Sequence, residues 1–315
     1  MPKKPDEQRI PIIYDPHDRS KRPKHEELEP FESVADVLKW EEELRKELFQ
    51  EAGSGDRLNE IWFRGTRKHF PLVPGIYRSE ITNLVDDPNR DWIFGCETPQ
   101  DEASKLELKR LNFERDMILT FERESGPLLK YRSEQELYFL ARHYGMPSRL
   151  LDWSISPMIA LFMCVFQESK VPQRGEAETD GILYAMNPEM LDPPGYICHQ
   201  HDPLVREAIE VVTRWDDQGD RTPGILPIRP HTLAARIDRQ MSRFTLHCYG
   251  AGPQKNSSLR SRRVSKECKQ RIRGQLERIG INQFTVYYTL DRLVSETIDR
   301  FSNPTPSAHS ARGAG

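Results

Sequence analysis

The 315-residue chain has no long apolar run, little net charge, few cysteines and no internal repeat, and each shortage removes a class of protein. Its longest apolar stretch, Met158 to Phe166, is about half of what a bilayer crossing needs, so no membrane span is expected. The opening MPKKPDEQRI lacks the apolar core of a secretory leader, which makes the cytoplasm the expected location. A formal net charge of -3 gives no field that would steer the whole molecule onto nucleic acid or an anionic membrane, so any basic site is local. The 5 cysteines, Cys96, Cys164, Cys198, Cys248 and Cys268, are odd in number and scattered, which fits reduced thiols better than a disulfide framework. No metal is expected either, because Cys198-His199-Gln200-His201 and His247-Cys248 match no standard zinc spacing.

What the chain does have is 37% apolar and 30% charged residues, enough for a real core under a heavily solvated surface. Residues 1–30 and 302–315 are polar and proline-containing and read as disordered tails around one domain, 31–301. Arg174–Asp180, Asp216–Pro230 and Gly250–Ser258 read as long surface loops. Ser33 with Asp36 signals a helix whose Val34, Val37, Leu38, Leu44 and Leu48 share a stripe, ended by Gly53. Thr98-Pro99 with Asp101 signals a second, and Ser133 with Glu136 a third that runs to His143 before Gly145 and Pro147. Ser156-Pro157 starts a helix over 157–167, apolar on every side and therefore central and enclosed. Strands are expected at Ile61–Arg64, Gly181–Met186, Phe244–Cys248 and Phe284–Tyr288, followed by a helix over Leu290–Phe301. Strands mixed irregularly with helices predict an α+β fold with a small mixed or split sheet.

Chemistry concentrates in Trp62–Gly65, Gln135–Ala160 and Arg239–Phe244. Phe63-Arg64-Gly65 is the tripeptide for which the FRG domain is called, and HYGMPSRLLDWSISPMIALF (143–162) resembles that family's longest signature. RQMSRFTLHC (239–248) and Phe284–Phe301 resemble its later blocks, so the resemblance spans roughly residues 35 to 301. The family implies no settled reaction. An arginine leaving a strand, followed at once by glycine, offers a charge to a phosphate and a backbone that a flat ring can approach. Ser154 and Ser156 precede a helix whose free amides and their two hydroxyls face an anion or a ribose.

That order is similar to the ADP-ribosyltransferase superfamily, and the similarity implies a fold of that kind with NAD as cofactor. Carried over, Arg64 and Gly65 match the first block, Ser154 and Ser156 the second, and Gln240, on a later strand, the third, where the superfamily has a glutamate. Glutamine brings no negative charge to an oxocarbenium-like transition state, and Asp152 is the residue that would supply it. The catalytic candidates are thus Arg64, Asp152 and Gln240, and the ligand-holding candidates Phe63, Arg64, Gly65, Arg78, His143, Tyr144, Arg149, Ser154 and Ser156. Asp152, between Leu151 and Trp153, needs a partner, Arg149 or Arg64. His143 can equally complement a helix dipole, and Trp62, Tyr144 and Trp153 can equally be core.

These readings predict a nucleotide-type small-molecule ligand, with NAD-dependent ADP-ribosyl transfer or NAD glycohydrolysis as the reaction. The rival is a non-catalytic ligand-sensing or interaction module in stress or phage response. A third reading has the basic run Lys255–Arg273 tracking nucleic-acid phosphates, against a bland alternative in which it is a solvated loop and helix face.

Overall fold

A computed structural model describes residues 28–52, 60–68, 72–86, 101–126, 129, 133–166, 179–191, 197–199, 203–210, 224–231, 235–247, 258–289 and 292–294. Residues 1–27 of the expected N-terminal tail, the C-terminal tail, Gly53, Thr98-Pro99, nearly all of the expected loops at 174–180 and 250–258, and most of the expected helix over 290–301 lie outside these residues. In chain order the elements are α1 (Val34–Ala52), β1 (Trp62–Thr66), α2 (Ser79–Val85), α3 (Glu102–Ser125), α4 (Glu134–His143), β2 (Leu150–Ser154), α5 (Pro157–Val165) and β3 (Gly181–Met186). There follow β4 (Cys198–His199), α6 (Pro203–Glu210), β5 (Ile225–Arg229), α7 (Ala235–Arg239), β6 (Ser242–His247), β7 (Arg260–Val264), α8 (Lys269–Arg278) and α9 (Gln283–Tyr287).

The strands form one seven-stranded sheet in the order β4-β5-β6-β2-β1-β3-β7, antiparallel except for the parallel β4–β5 pair, and the fold is α+β. Its weak seam is central. Strands β1 and β2 meet in register only at Phe63 and Ser154, whereas β1 runs five residues against β3 and β2 five against β6. Past that single pair the two halves part, and this opening positions the site.

Three large cores flank the sheet. Phe63, Leu183, Ala185 and Val264 pack under α1, α5 and α8, with Trp40 and Phe162 among the buried rings. Trp62, Trp153 and Tyr184 anchor a second cluster, and Phe139 and Phe244 a third with Tyr138 and Leu246. The start of α1 is a reciprocal cap: Ser33 N–H donates to Asp36 (2.9 Å), and Asp36 N–H donates to Ser33 Oγ (3.3 Å). Its stripe is Val37, Trp40, Leu44 and Leu48; Leu38, expected on it, is 50% exposed because it lies off that face. Ser133 and Glu136 form the capping box of α4, and Asp101 caps α3. Helix α5 begins at Pro157 as expected and lies against β1, with Leu161 and Cys164 fully buried.

Two expectations fail for identifiable reasons. Phe284–Tyr288 is not a strand, although Phe284, Val286 and Tyr288 alternate, because Asn282 and Thr285 make a capping box that starts α9 there. Part of the expected loop 216–230 is β5, whose Ile225, Leu226 and Ile228 are buried against β6. Strands β2 and β7, like the short β4, were not expected at all.

Candidate functional site

Where β1 and β2 diverge, a cavity of about 670 Å³ opens, floored by the sheet and walled by α4, α5, the α7–β6 corner and α9. It gathers most of the sequence candidates: Phe63, Arg64, Gly65, His143, Asp152, Ser154 and Gln240 all line it. Arg78, Tyr144, Arg149 and Ser156 do not. The lining also holds Arg67, Arg142, Arg236 and Arg292, so five arginines face one acid, Asp152, in a chain whose net charge is negative.

Asp152 is the electrostatic centre. Its Oδ2 accepts from Arg142 Nε at 3.1 Å and from Arg142 Nη2, and lies 3.7 Å from Arg64 Nη1. Burial opposes its ionisation, but the charges of Arg142 and Arg64 outweigh this and hold the carboxyl below the usual range. Its partners are therefore Arg142 and Arg64. Arg149, the other expected partner, is fully buried elsewhere: Glu114 accepts from its Nε at 2.7 Å and from its backbone N–H at 2.6 Å, and also from the Tyr138 hydroxyl at 2.6 Å. That network joins α3 to the start of β2 and has no surface in the cleft.

Arg64 reaches across the seam, donating through Nη1 to the Asp152 carbonyl. Burial, with Arg142 and Arg78 nearby, pushes its guanidinium down to about 10 despite Asp152, and its Nε has no hydrogen-bond partner. Gly65 earns its place differently from the ring approach expected. A Cβ there would stand 1.8 Å from the Ala160 carbonyl oxygen and 2.8 Å from Cys164 Sγ, so the glycine lets α5 lie on β1.

His143, in the last turn of α4, is 6% exposed, and its Nε2 is buried without a partner. Burial first, then the charges of Arg236 and Arg142, push its pKa down to about 4 against the pull of Asp152. It is neutral at pH 7, so it does not serve as the cation that a helix end would favour. Tyr144, next along, turns outward and is 64% exposed.

Both serines bond backbone, and of the two only Ser154 lines the cavity. Ser154 Oγ donates to the Gln240 carbonyl (2.7 Å) and accepts from Ser156 N–H (3.0 Å), while Ser156 Oγ caps α5 by accepting from Ile159 N–H (3.3 Å). Gln240 is not on a strand: it sits in the turn between α7 and β6, and its side-chain amide donates to the Val286 carbonyl at 3.3 Å, tying that corner to α9. Trp62 and Trp153 are core, the latter donating to Thr245 at 3.1 Å.

Sequence reading missed the far wall. Tyr287 carries the guanidinium of Arg236 at 4.9 Å from its ring centre and that of Arg292 at 5.2 Å, and leans on Phe166 at 5.3 Å. A strand at 284–288 would have dispersed these groups; the helix α9 brings Tyr287 to the cleft. Arg142 was legible in principle, since it stands one residue before His143 on the same capped helix.

The basic run Lys255–Arg273 is largely committed elsewhere. Arg260 is fully buried on Glu47 (2.8 Å), Arg263 pairs with Asp180 (3.3 Å), Lys269 donates to the Arg67 carbonyl (3.0 Å) and Arg271 to that of Glu32 (2.6 Å). Residues 260–264 form β7 rather than a solvated loop. Among the described residues, no group of three or more His, Cys, Asp or Glu could hold a metal ion, and no helix is long and apolar enough to cross a membrane.

No curated protein and no solved structure matches the chain. Residues 59–173 match the FRG domain family, a span that contributes Arg64, Arg142, His143 and Asp152 to the cleft, while Gln240, Arg236, Tyr287 and Arg292 come from beyond it. This chain carries an FRG domain.

Proposed function

We propose that the cleft between β1 and β2 binds a nucleotide-type anionic small molecule, its phosphates held by arginines and its flat ring set against the Tyr287–Phe166 wall. The single observation that carries this reading is the charge ratio: five arginines and one carboxylate around about 670 Å³, a volume suited to a nucleotide. The guanidiniums of Arg236 and Arg292, held over the Tyr287 ring, also offer cation–π partners to a base. Titration calorimetry of the full chain with ATP, ADP-ribose and NAD should give saturable binding to at least one of them. Arg64→Ala should weaken it by about tenfold or more, about 1.4 kcal/mol, with the circular dichroism spectrum unchanged. Absence of heat from all three nucleotides sinks the proposal.

The second reading is NAD consumption, as ADP-ribosyl transfer or glycohydrolysis. Its support is Asp152, whose ionised carboxyl faces the cleft with only Oδ2 engaged among the described residues. Against it stands the same charge ratio, because a cation developing at the nicotinamide ribose would form in a field of arginines, and Gln240 brings no second carboxylate. Binding without turnover, as in a sensing module, is the better supported of the two. Nicotinamide release by the wild type, abolished in Asp152→Asn, would reverse that order.

A further inference from the structure

Four cations of the cleft neighbourhood crowd one carboxylate. Arg142 and Arg64 touch Asp152 directly, and Arg236 and Arg78 feel its charge. Arg236 faces His143 as well, and the two share an unusual feature with Arg64: each has a buried side-chain nitrogen without a partner, Arg64 Nε, His143 Nε2 and Arg236 Nε. Half of the six such nitrogens in the described residues belong to this one cleft. A buried polar atom left without a partner costs about 1 to 3 kcal/mol, so three around one cleft, on β1, α4 and α7, mark a place where a partner is missing rather than a packing accident.

Asp152 shows what that partner is chemically. It is an internal anion that answers two guanidiniums through Oδ2 and leaves the field of the others unbalanced. A ligand that completes the balance brings more than one negative charge to the same spot. A dinucleotide such as NAD brings the two charges of an internal pyrophosphate bridge and a positively charged ring, which is a poor match to a cleft lining with no second acid. A terminal phosphate, doubly charged near neutral pH and with three exposed oxygens, matches the count and the geometry of forked donors.

We infer that the ligand of this cleft carries a terminal phosphate, a nucleoside di- or triphosphate in class, and that this phosphate sits beside Asp152 among Arg64, Arg142, His143 and Arg236. This rests on the nucleotide-cleft reading above and narrows it. The neutral His143 imidazole acts as a positioning group that donates Nε2–H to a phosphate oxygen. The neighbouring guanidiniums supply the charge, and Tyr287 with Phe166 takes the base end.

The test is a calorimetric series on the full chain at pH 7 with inorganic pyrophosphate, AMP, ADP, ATP and NAD. Affinity should rise from AMP to ADP to ATP, NAD should bind about tenfold or more weakly than ATP, and pyrophosphate should compete with ATP. His143→Gln should lower ATP affinity severalfold and leave NAD affinity where it was, an outcome that a purely structural histidine would not produce. Arg236→Gln should lower the affinity for pyrophosphate itself. If NAD binds as tightly as ATP, or pyrophosphate does not compete, the terminal-phosphate assignment is overturned while the nucleotide cleft stands. If no nucleotide binds, both fall together.

Discussion

Two glycines separate what a residue does from what its sequence neighbourhood suggests. Gly65 closes the Phe63-Arg64-Gly65 tripeptide, yet its role is set by the Ala160 carbonyl 1.8 Å from where a Cβ would be. Gly274 lies inside α8, where an added Cβ would meet nothing within 4 Å. Gly65→Ala should therefore destabilise the protein by about 1 to 3 kcal/mol or more as α5 is pushed off β1. Gly274→Ala should stabilise by roughly 0.5 to 1 kcal/mol through helix propensity and reduced unfolded-state entropy. Urea midpoints for the two variants decide it; a neutral Gly65→Ala would mean that the strand does not lie as close to the helix as the geometry requires. At this scale the sequence was legible for residues whose surroundings are local. Asp152 needed a cation, and that much followed from Leu151 and Trp153 beside it, but which cation depended on α4 crossing the end of β2 and on Glu114, 35 residues away, claiming Arg149 first.

Helices α1 and α4 were readable from their caps and strand β3 from its apolar run, whereas capped α9 reads as a strand and β7 was not seen at all. Ser133 with Glu136 and Ser33 with Asp36 announce helices through side chains three residues apart, and both helices stand where those caps put them. Strand β7, Arg260–Val264, carries three arginines in five residues and looks like a solvated surface until Glu47 and Asp180 are brought to it by α1 and by the chain before β3. No pattern within that segment encodes the partners. The same distinction governs Ser156, which the sequence offered as a ligand group and the fold uses as the N-cap of α5. Ser156→Ala should cost about 1 kcal/mol in unfolding free energy, and Ser156→Asp, an equally good cap, should restore it. Neither change should alter nucleotide affinity, since Ser156 does not line the cavity. A loss of affinity with unchanged stability would return Ser156 to the site.

On the scale of the whole molecule, charge is segregated: a net charge of -3 overall coexists with a cleft whose lining has four more arginines than acids. That segregation has a thermodynamic signature through His143. Its pKa falls from an ordinary 6.5 to about 4 in the folded protein, first because it is buried and then because Arg236 and Arg142 face it, with Asp152 opposing. Between these two values the unfolded chain binds a proton that the folded chain refuses, so unfolding gains and stability declines as the pH drops from 6.5 toward 4. The loss attributable to this one group is on the order of 3 kcal/mol, fully developed near the lower value. Asp152 and Glu60, both held below their ordinary values of 3.8 and 4.5, add their own losses as the pH falls through those values, in the wild type and in a His143 variant alike. Urea unfolding followed from pH 7 to pH 4 should therefore show a steep fall for the wild type and a distinctly shallower one for His143→Gln, whatever the variant's stability at pH 7. Parallel curves would mean that the imidazole titrates normally, and with it the picture of a neutral histidine walled in by uncompensated guanidiniums would have to be given up.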